Sequence, residues 1–158
     1  MYVTDTGVLI NCWHFWYAPE HHPTFWNGLL ELASQNRFGF PEQVYIEIQE
    51  QDDDVSQWCR KNIDQLILPS DNRQEELYND LVAQFPALAT GRGRRQNYAD
   101  LYVIAAAEVF NATAISTEKR DGARNPNKIK IPTACQLRGV HCIQPYEMLR
   151  REGWEFKH

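Results

Sequence analysis

The sequence predicts an α/β fold built on a parallel sheet. Short β-branched and apolar runs alternate along the chain with longer segments of helical period. The first of these runs, Met1 to Thr4, ends on an acid, Asp5, and passes through a small-residue turn into a fresh apolar stretch. The 158 residues contain no internal repeat and no low-complexity tract, and 43% are hydrophobic and 23% charged, near the globular average. On this reading residues 1–158 form a single domain. Its central parallel sheet has about five strands, with helices on both faces.

The elements follow in order. Tyr2 to Thr4 is the first strand, and a short helix follows Asp5. An aromatic-rich stretch from Trp13 to Trp26 is broken by Pro19 and Pro23, and the apolar stripe Phe25, Leu29, Leu30 and Leu32 marks a helix over 23–35. Arg37 to Phe40 reads as a second strand, and Pro41 suits the first turn of a helix running to about Gln51. The Asp52-Asp53-Asp54 run favours a helix N-terminus, with the helix ending near Asn62. Gln65 to Leu68 is a third strand stopped by Pro69, and Asn72 to Gln84 is a polar helix. Pro86 to Asn97 reads as a loop, and Tyr98 to Phe110 as a helix apolar nearly all round and therefore buried. Ala112 to Ser116 is a strand, and Thr117 to Lys130 a long basic loop. Ile131 begins a helix closed by Gly139, Val140 to Ile143 is the last strand, and Pro145 to Arg151 the last helix.

No apolar run is long enough to span a bilayer, and the chain begins directly on its first strand, so a soluble, cytoplasmic protein without membrane association is expected. Cys12, Cys59, Cys135 and Cys142 are scattered and form no C-x-x-C pair, which speaks against a structural zinc site or a disulfide framework. The irregular spacing of His14, His21 and His22 with Cys12 likewise does not suit zinc. Net charge is −5, yet the charges are polarised. Arg92, Arg94 and Arg95 crowd one loop, and Lys119, Arg120, Arg124, Lys128 and Lys130 another; acids collect over 47–54 and 71–80.

Four acids stand at positions where chemistry is plausible. Asp5 ends a strand, where side chains of an open α/β sheet point into the ligand crevice; it also suits an N-cap, and the two roles are compatible. Glu47 lies beside Val44 and Ile48 at the rim of an apolar helix face, where a carboxylate needs a cation or a metal; a salt bridge at the helix edge is the plainer account. Asp100 interrupts the apolar run Tyr98 to Ala107, as a cap or as a buried charge that needs compensation. Glu118 follows Thr117 at another strand end, whereas Asp121 reads as a solvated loop charge balanced by Lys119 and Arg120.

Taken in order, these residues resemble those of the PIN-domain ribonucleases, especially the VapC-like toxins of bacterial toxin–antitoxin pairs, over essentially the whole chain. The first acid of that family matches Asp5 in Val3-Thr4-Asp5-Thr6, and the second, spaced Val-x-x-Glu, matches Glu47. The third matches Asp100 in Ala99-Asp100-Leu101-Tyr102-Val103-Ile104-Ala105, and the fourth matches Glu118 after Thr117. A branch of bacterial PIN-like proteins also shares an aromatic insert, here Tyr17 to Trp26, and a Lys-Ile-x-x-Cys-type stretch, here Lys130 to Cys135. Two departures stand out. The fourth acid is commonly Asp, and a small hydroxylic residue often occupies the position of Gly7.

The resemblance implies a three-layer PIN-like fold and metal-dependent hydrolysis of RNA phosphodiester bonds. Asp5, Glu47, Asp100 and Glu118 would hold Mg²⁺ or Mn²⁺, the oxygen-rich set that hard cations prefer. Thr6, Thr117, Arg92, Arg94, Arg95, Lys119 and Arg120 would contact substrate, the cations flanking an anionic centre. Without metal, the acids should repel and raise at least one carboxylate pKa. The resemblance also implies a cognate antitoxin as partner, and a homodimer by analogy. Among Trp13, Phe15, Trp16, Tyr17, Phe25 and Trp26, at least half should be core; the remainder could stack on bases or cover a partner helix. A haloacid-dehalogenase-like phosphatase would need an acid where Gly7 stands, and a receiver domain would need acids before Asp5. The rival from another class is a PIN-like binding module without activity.

Overall fold

In the computed structural model, residues 1–90, 98–119 and 129–155 are described. Four strands, β1 (Tyr2–Thr4), β2 (Phe38–Gly39), β3 (Thr113–Ile115) and β4 (Cys142–Ile143), form one sheet in the order β2-β1-β3-β4, every pair parallel. Tyr2 pairs with Phe38 on one side and Thr113 on the other, and Ile115 pairs with Ile143. Successive strand residues point to opposite faces, and Tyr2, Val3 and Thr4 are all buried, so β1 is covered on both sides. The predicted parallel α/β architecture is therefore present.

Among the described residues the strand count is four, not five. The expected strand at Gln65 to Leu68 contributes only a single parallel bridge, Ile67 to Phe40, with Phe40 N–H donating to the Leu66 carbonyl at 3.0 Å and Leu68 N–H to the Phe40 carbonyl at 2.9 Å. The reason is local. A short helix, α5 (Ile63–Leu66), uses the chain up to Leu66, and Pro69 has no N–H with which to extend a ladder.

The remaining helices are α1 (Thr6–Asn11), α2 (Pro23–Ser34), α3 (Glu42–Gln49), α4 (Asp54–Lys61), α6 (Asn72–Gln84), α7 (Pro86–Thr90), α8 (Tyr98–Val109), α9 (Ile131–Arg138) and α10 (Pro145–Glu152). Their ends carry ordinary stop signals. Asp5, Asp53 and Asp71 cap α1, α4 and α6 through their carboxylates, while Gly139 and Gly153 close α9 and α10 in the left-handed region. α7 corrects the expectation of a loop over 86–97. Pro86 is well placed in a first helical turn, and residues 91–97 lie outside the described residues. α8 is apolar around most of its circumference, with Leu101, Val103, Ile104, Ala105, Ala106 and Ala107 buried.

Most of the aromatic segment is core. Phe25 and Trp26 are buried, Trp13 meets Trp26 edge-on at 4.8 Å, and Tyr17 stacks on Phe25 at 4.7 Å. The Trp26 indole N–H donates to the Tyr17 carbonyl at 2.7 Å. A turn of π-helix, Cys12–Trp16, leaves Phe15 and Trp16 on the surface, 74% and 46% exposed. At the other end of the chain Glu152 accepts two bonds from Arg37, at 2.7 and 2.8 Å, and one from the Tyr2 hydroxyl at 2.7 Å. This ties α10 to the start of β1 and β2.

Gly39 shows how closely the sheet edge is packed. A Cβ there would stand 2.6 Å from the Leu66 carbonyl oxygen and 2.7 Å from a Leu68 methyl carbon. Backbone cannot yield as a flexible side chain can, so Gly39→Ala is expected to destabilise the fold by about 2 kcal/mol or more in urea titration. A loss below about 0.5 kcal/mol would mean that the edge is looser than this packing implies.

Candidate active site

The strand order reverses between β1 and β3. The chain leaves β1 toward β2 on one side and leaves β3 toward β4 on the other, so the crevice beyond the carboxyl ends of β1 and β3 is a topological switch point. Asp5 stands at the first of these ends, and Ser116, Thr117 and Glu118 at the second.

Asp5 is 4% exposed. Its N–H donates to the Ile115 carbonyl at 3.3 Å, and its Oδ1 accepts the Val8 N–H at 2.8 Å, so the acid caps α1 from inside the sheet. The Ser116 hydroxyl bonds to the same carboxyl group, and Ser116 Oγ in turn accepts the Glu118 N–H at 3.1 Å. Beside it, Thr117 Oγ1 accepts from Asn11 Nδ2 at 3.1 Å, which joins the end of α1 to the loop after β3. Ser116 and Asn11 are the site residues that sequence reasoning missed. The available signal for Ser116 was a polar residue closing the apolar run Ala112 to Ile115; Asn11, uncharged in an apolar helix, gave none.

Glu118 Oε2 accepts the Ile131 N–H at 2.9 Å, the first N–H of α9, whose N-cap Lys130 makes no side-chain capping bond. Glu47 lies half-buried in the last turn of α3 between the buried Val44 and Ile48. Asp100 is the third residue of α8, half-buried between the buried Ala99 and Leu101, and no described residue donates a hydrogen bond to its carboxyl group. Thr6 is buried, and its Oγ1 has no partner among the described residues. Lys119 is exposed. Arg92, Arg94, Arg95 and Arg120, expected to contact substrate, lie outside the described residues, as does Asp121.

The acids act on one another. Burial pushes the Asp100 carboxyl up to about 8, and the charges of Asp5, Glu118 and Glu47 push it the same way. Asp5 is raised to about 7, again first by burial; Glu118 and Glu47 add to the rise, and the Val8 and Ser116 bonds oppose it. Asp100 therefore feels the charges of the other three sequence-predicted acids, and Asp5 those of Glu118 and Glu47. Among the described residues, no three His, Cys, Asp or Glu side chains stand close enough to form a ready-made metal cage. The donor set nonetheless suits a hard cation held by one or two carboxylates and water: it is all oxygen, crowded with like charge, and accompanied by the orphaned hydroxyl of Thr6.

These shifts have a defined pH consequence. Asp5 and Asp100 rise from 3.8 to about 7 and about 8, so between those limits the folded chain holds protons that the unfolded chain has lost. The stabilisation is complete below about pH 4 and is lost as pH rises through 7 to 8. Asp100→Asn is expected to raise the melting temperature of metal-free protein less at about pH 5 than at pH 8, because the loss begins only above about pH 4. At pH 8 it should raise the melting temperature by a few degrees, about 1–2 kcal/mol. Equal shifts at both pH values would contradict a buried, repelled carboxyl group at position 100.

No curated protein and no solved structure matches the chain. A family model does, over almost the full length: residues 2–156 match a domain of unknown function, DUF4411, and the chain belongs to that family.

Proposed function

We propose that this protein is a metal-dependent endoribonuclease of PIN-like fold. The observation that supports the reading is the burial of Asp5 at the switch point of a parallel sheet, with Asp5 and Asp100 both pushed toward neutrality by burial and by the charges of Glu47 and Glu118. An acid cluster of this kind costs stability and makes sense where a cation completes it.

In this reading Asp5 and Asp100 hold Mg²⁺ or Mn²⁺, with Glu47 and Glu118 acting directly or through water. A bound cation of that type lowers the pKa of a coordinated water and offsets charge developing on the phosphoryl oxygens. The chain supplies the rest. Val8 N–H and the Ser116 hydroxyl orient Asp5, Ile131 N–H fixes Glu118, and Asn11 holds the Thr117 hydroxyl at the rim. Thr6, Thr117, Lys119, Arg92, Arg94, Arg95 and Arg120 contact the RNA, whose phosphates draw the basic loops despite a net charge of −5. The products carry a 5′-phosphate and a 3′-hydroxyl. By the same resemblance the protein is a cytoplasmic toxin with a cognate antitoxin and a homodimeric state; among the described residues, no helix is long and apolar enough to cross a membrane.

A second reading, an inactive PIN-like binding module, is favoured by the engagement of Glu118 with α9 and by the lack of a ready-made three-ligand cage among the described residues. Cleavage of a mixed RNA pool separates the two. The nuclease reading expects cutting that requires Mn²⁺, stops with EDTA, and falls on the order of 100-fold in Asp100→Asn. No cleavage and no Mn²⁺-induced rise in melting temperature would leave the binding module.

Gly7 does not weaken the nuclease reading on steric grounds. A Cβ there would stand 3.5 Å from Thr117 Oγ1 and 3.6 Å from Asp5 Oδ1, ordinary contact distances. Gly7→Ser is expected to fold with an equal or higher melting temperature, because glycine is costly within a helix, and to retain cleavage. A lower melting temperature would show that the crevice has no room for the hydroxymethyl group.

A further inference from the structure

A cavity lies away from the acidic crevice, between α2 and the residues that follow α10. It holds about 370 Å³ and is lined by Thr24, Asn27, Gly28, Glu31, Trp154 and Glu155, none of which belongs to the crevice. The four residues from α2 recur at the spacing i, i+3, i+4, i+7, so they form one stripe along the helix. Gly28 shapes the floor. A Cβ there would stand 2.7 Å from two carbons of the Trp154 ring, so it is the missing side chain that lets the indole rest against the helix. Glycine is unfavourable inside a helix, and here it admits the ring. The indole is held from other directions as well. Gly153 turns the chain in the left-handed region, the Trp154 backbone N–H donates to the Leu149 carbonyl at 3.0 Å, and Phe25 meets the indole edge-on at 6.1 Å. Glu31 and Glu155 are exposed at the border of the cavity. Among the described residues neither carboxylate takes part in an ion pair, and no cationic side chain lines the cavity.

We propose that this cavity binds a guanidinium group, with Trp154 as the stacking surface and Glu31 and Glu155 as its counter-charges. A fixed indole attracts a cation through the negative potential of its ring face. The carboxylates come from two different segments, one from α2 and one from the chain after α10, so a cation on the indole meets an acceptor from each wall. The Thr24 hydroxyl and the Asn27 amide oxygen are further acceptors on the same helix stripe. An anion would face two like charges, and an apolar ligand would leave these polar groups without partners. Guanidinium suits the set better than ammonium. Its planar fork stacks on an aromatic face while its N–H groups donate to carboxylates at the edge, whereas an ammonium is a compact and strongly hydrated point charge. The volume admits one such group with its aliphatic stem. The group is carried by an arginine residue of a partner chain or by free arginine, and the chemistry of recognition is the same for both. The inference is independent of the nuclease reading, because no residue of the cavity belongs to the acid cluster.

The test is a titration of the full chain followed by proton–nitrogen correlation NMR, reading the indole N–H resonance of Trp154, assigned among the five tryptophans by triple-resonance methods. The probes are N-acetyl-arginine amide, free arginine, N-acetyl-lysine amide and N-acetyl-citrulline amide, the last a neutral copy of the arginine side chain. The arginine probes are expected to move the Trp154 resonance saturably in the millimolar range, the lysine probe more weakly, and the citrulline probe not at all. Glu31→Gln, an exposed substitution that leaves the core untouched, is expected to weaken arginine binding about fivefold, the loss of one partly exposed ion pair. Tighter binding of the capped arginine supports the site as one for a partner chain, and tighter binding of free arginine supports it as one for the small molecule. No saturable shift with either arginine probe, an equal response to citrulline, equal affinity for lysine, or unchanged affinity in Glu31→Gln would overturn the proposal.

Discussion

The structure turns on the burial of one carboxylate, Asp5, at the point where the sheet reverses its strand order. Asp53 and Asp71 perform the same capping duty for α4 and α6 at far more accessible positions, which shows that capping alone does not require burial. Asp5 caps α1 at 4% exposure, and the charges of Glu47 and Glu118 act on it. The bonds from Val8 and Ser116 offset part of the cost of removing that carboxyl group from water, but burial still outweighs them. A fold that needed only an N-cap would gain stability by placing it in solvent. The strain on Asp5 therefore belongs to the crevice, and the parallel order β2-β1-β3-β4 fixes where that crevice lies.

What could be read from the sequence was what short-range signals encode. The helix Asn72–Gln84 has the expected bounds because Asp71 caps it and its own residues decide its extent. Gln65 to Leu68 carries the composition of a strand, but its pairing depends on Phe40, more than twenty residues away, and on a short helix that ends at Leu66. The helix Pro86–Thr90 was hidden because proline marks both helix starts and loops. The acids could be located because carboxylates are conspicuous beside apolar neighbours, as Glu47 is beside Val44 and Ile48. Ser116 and Asn11 could not, since a neutral hydroxyl or amide acquires its role only from the partner that folding brings to it.

The aromatic segment has a mechanical role. Trp13, Tyr17, Phe25 and Trp26 interlock, with Trp58 packed at 4.9 Å from Trp26, and they follow directly on the helix that Asp5 caps. A rigid α1 keeps both the Val8 N–H at one end and Asn11 at the other in register with the end of β3. Aromatic packing on one side of the molecule thus sets the precision of hydrogen bonds at the crevice, and only Phe15 and Trp16 are left over for other contacts.

The other pair of acids is positioned by a separate device. Glu118 holds the N-terminal end of α9 through Ile131, while Arg138 at its C-terminal end makes a two-bonded ion pair with Glu108 at 2.6 and 2.8 Å. Glu108 lies near the end of α8, the helix whose third residue is Asp100. α9 therefore acts as a strut joining the segment that carries Glu118 to the helix that carries Asp100. The two acids approach the crevice from different elements, yet one short helix bears on the placement of both. Repulsion among buried carboxylates would drive such elements apart, and a strut fixed at both ends by charge-assisted bonds opposes that tendency. The acid cluster persists because the scaffold around it is over-determined at each of these anchor points.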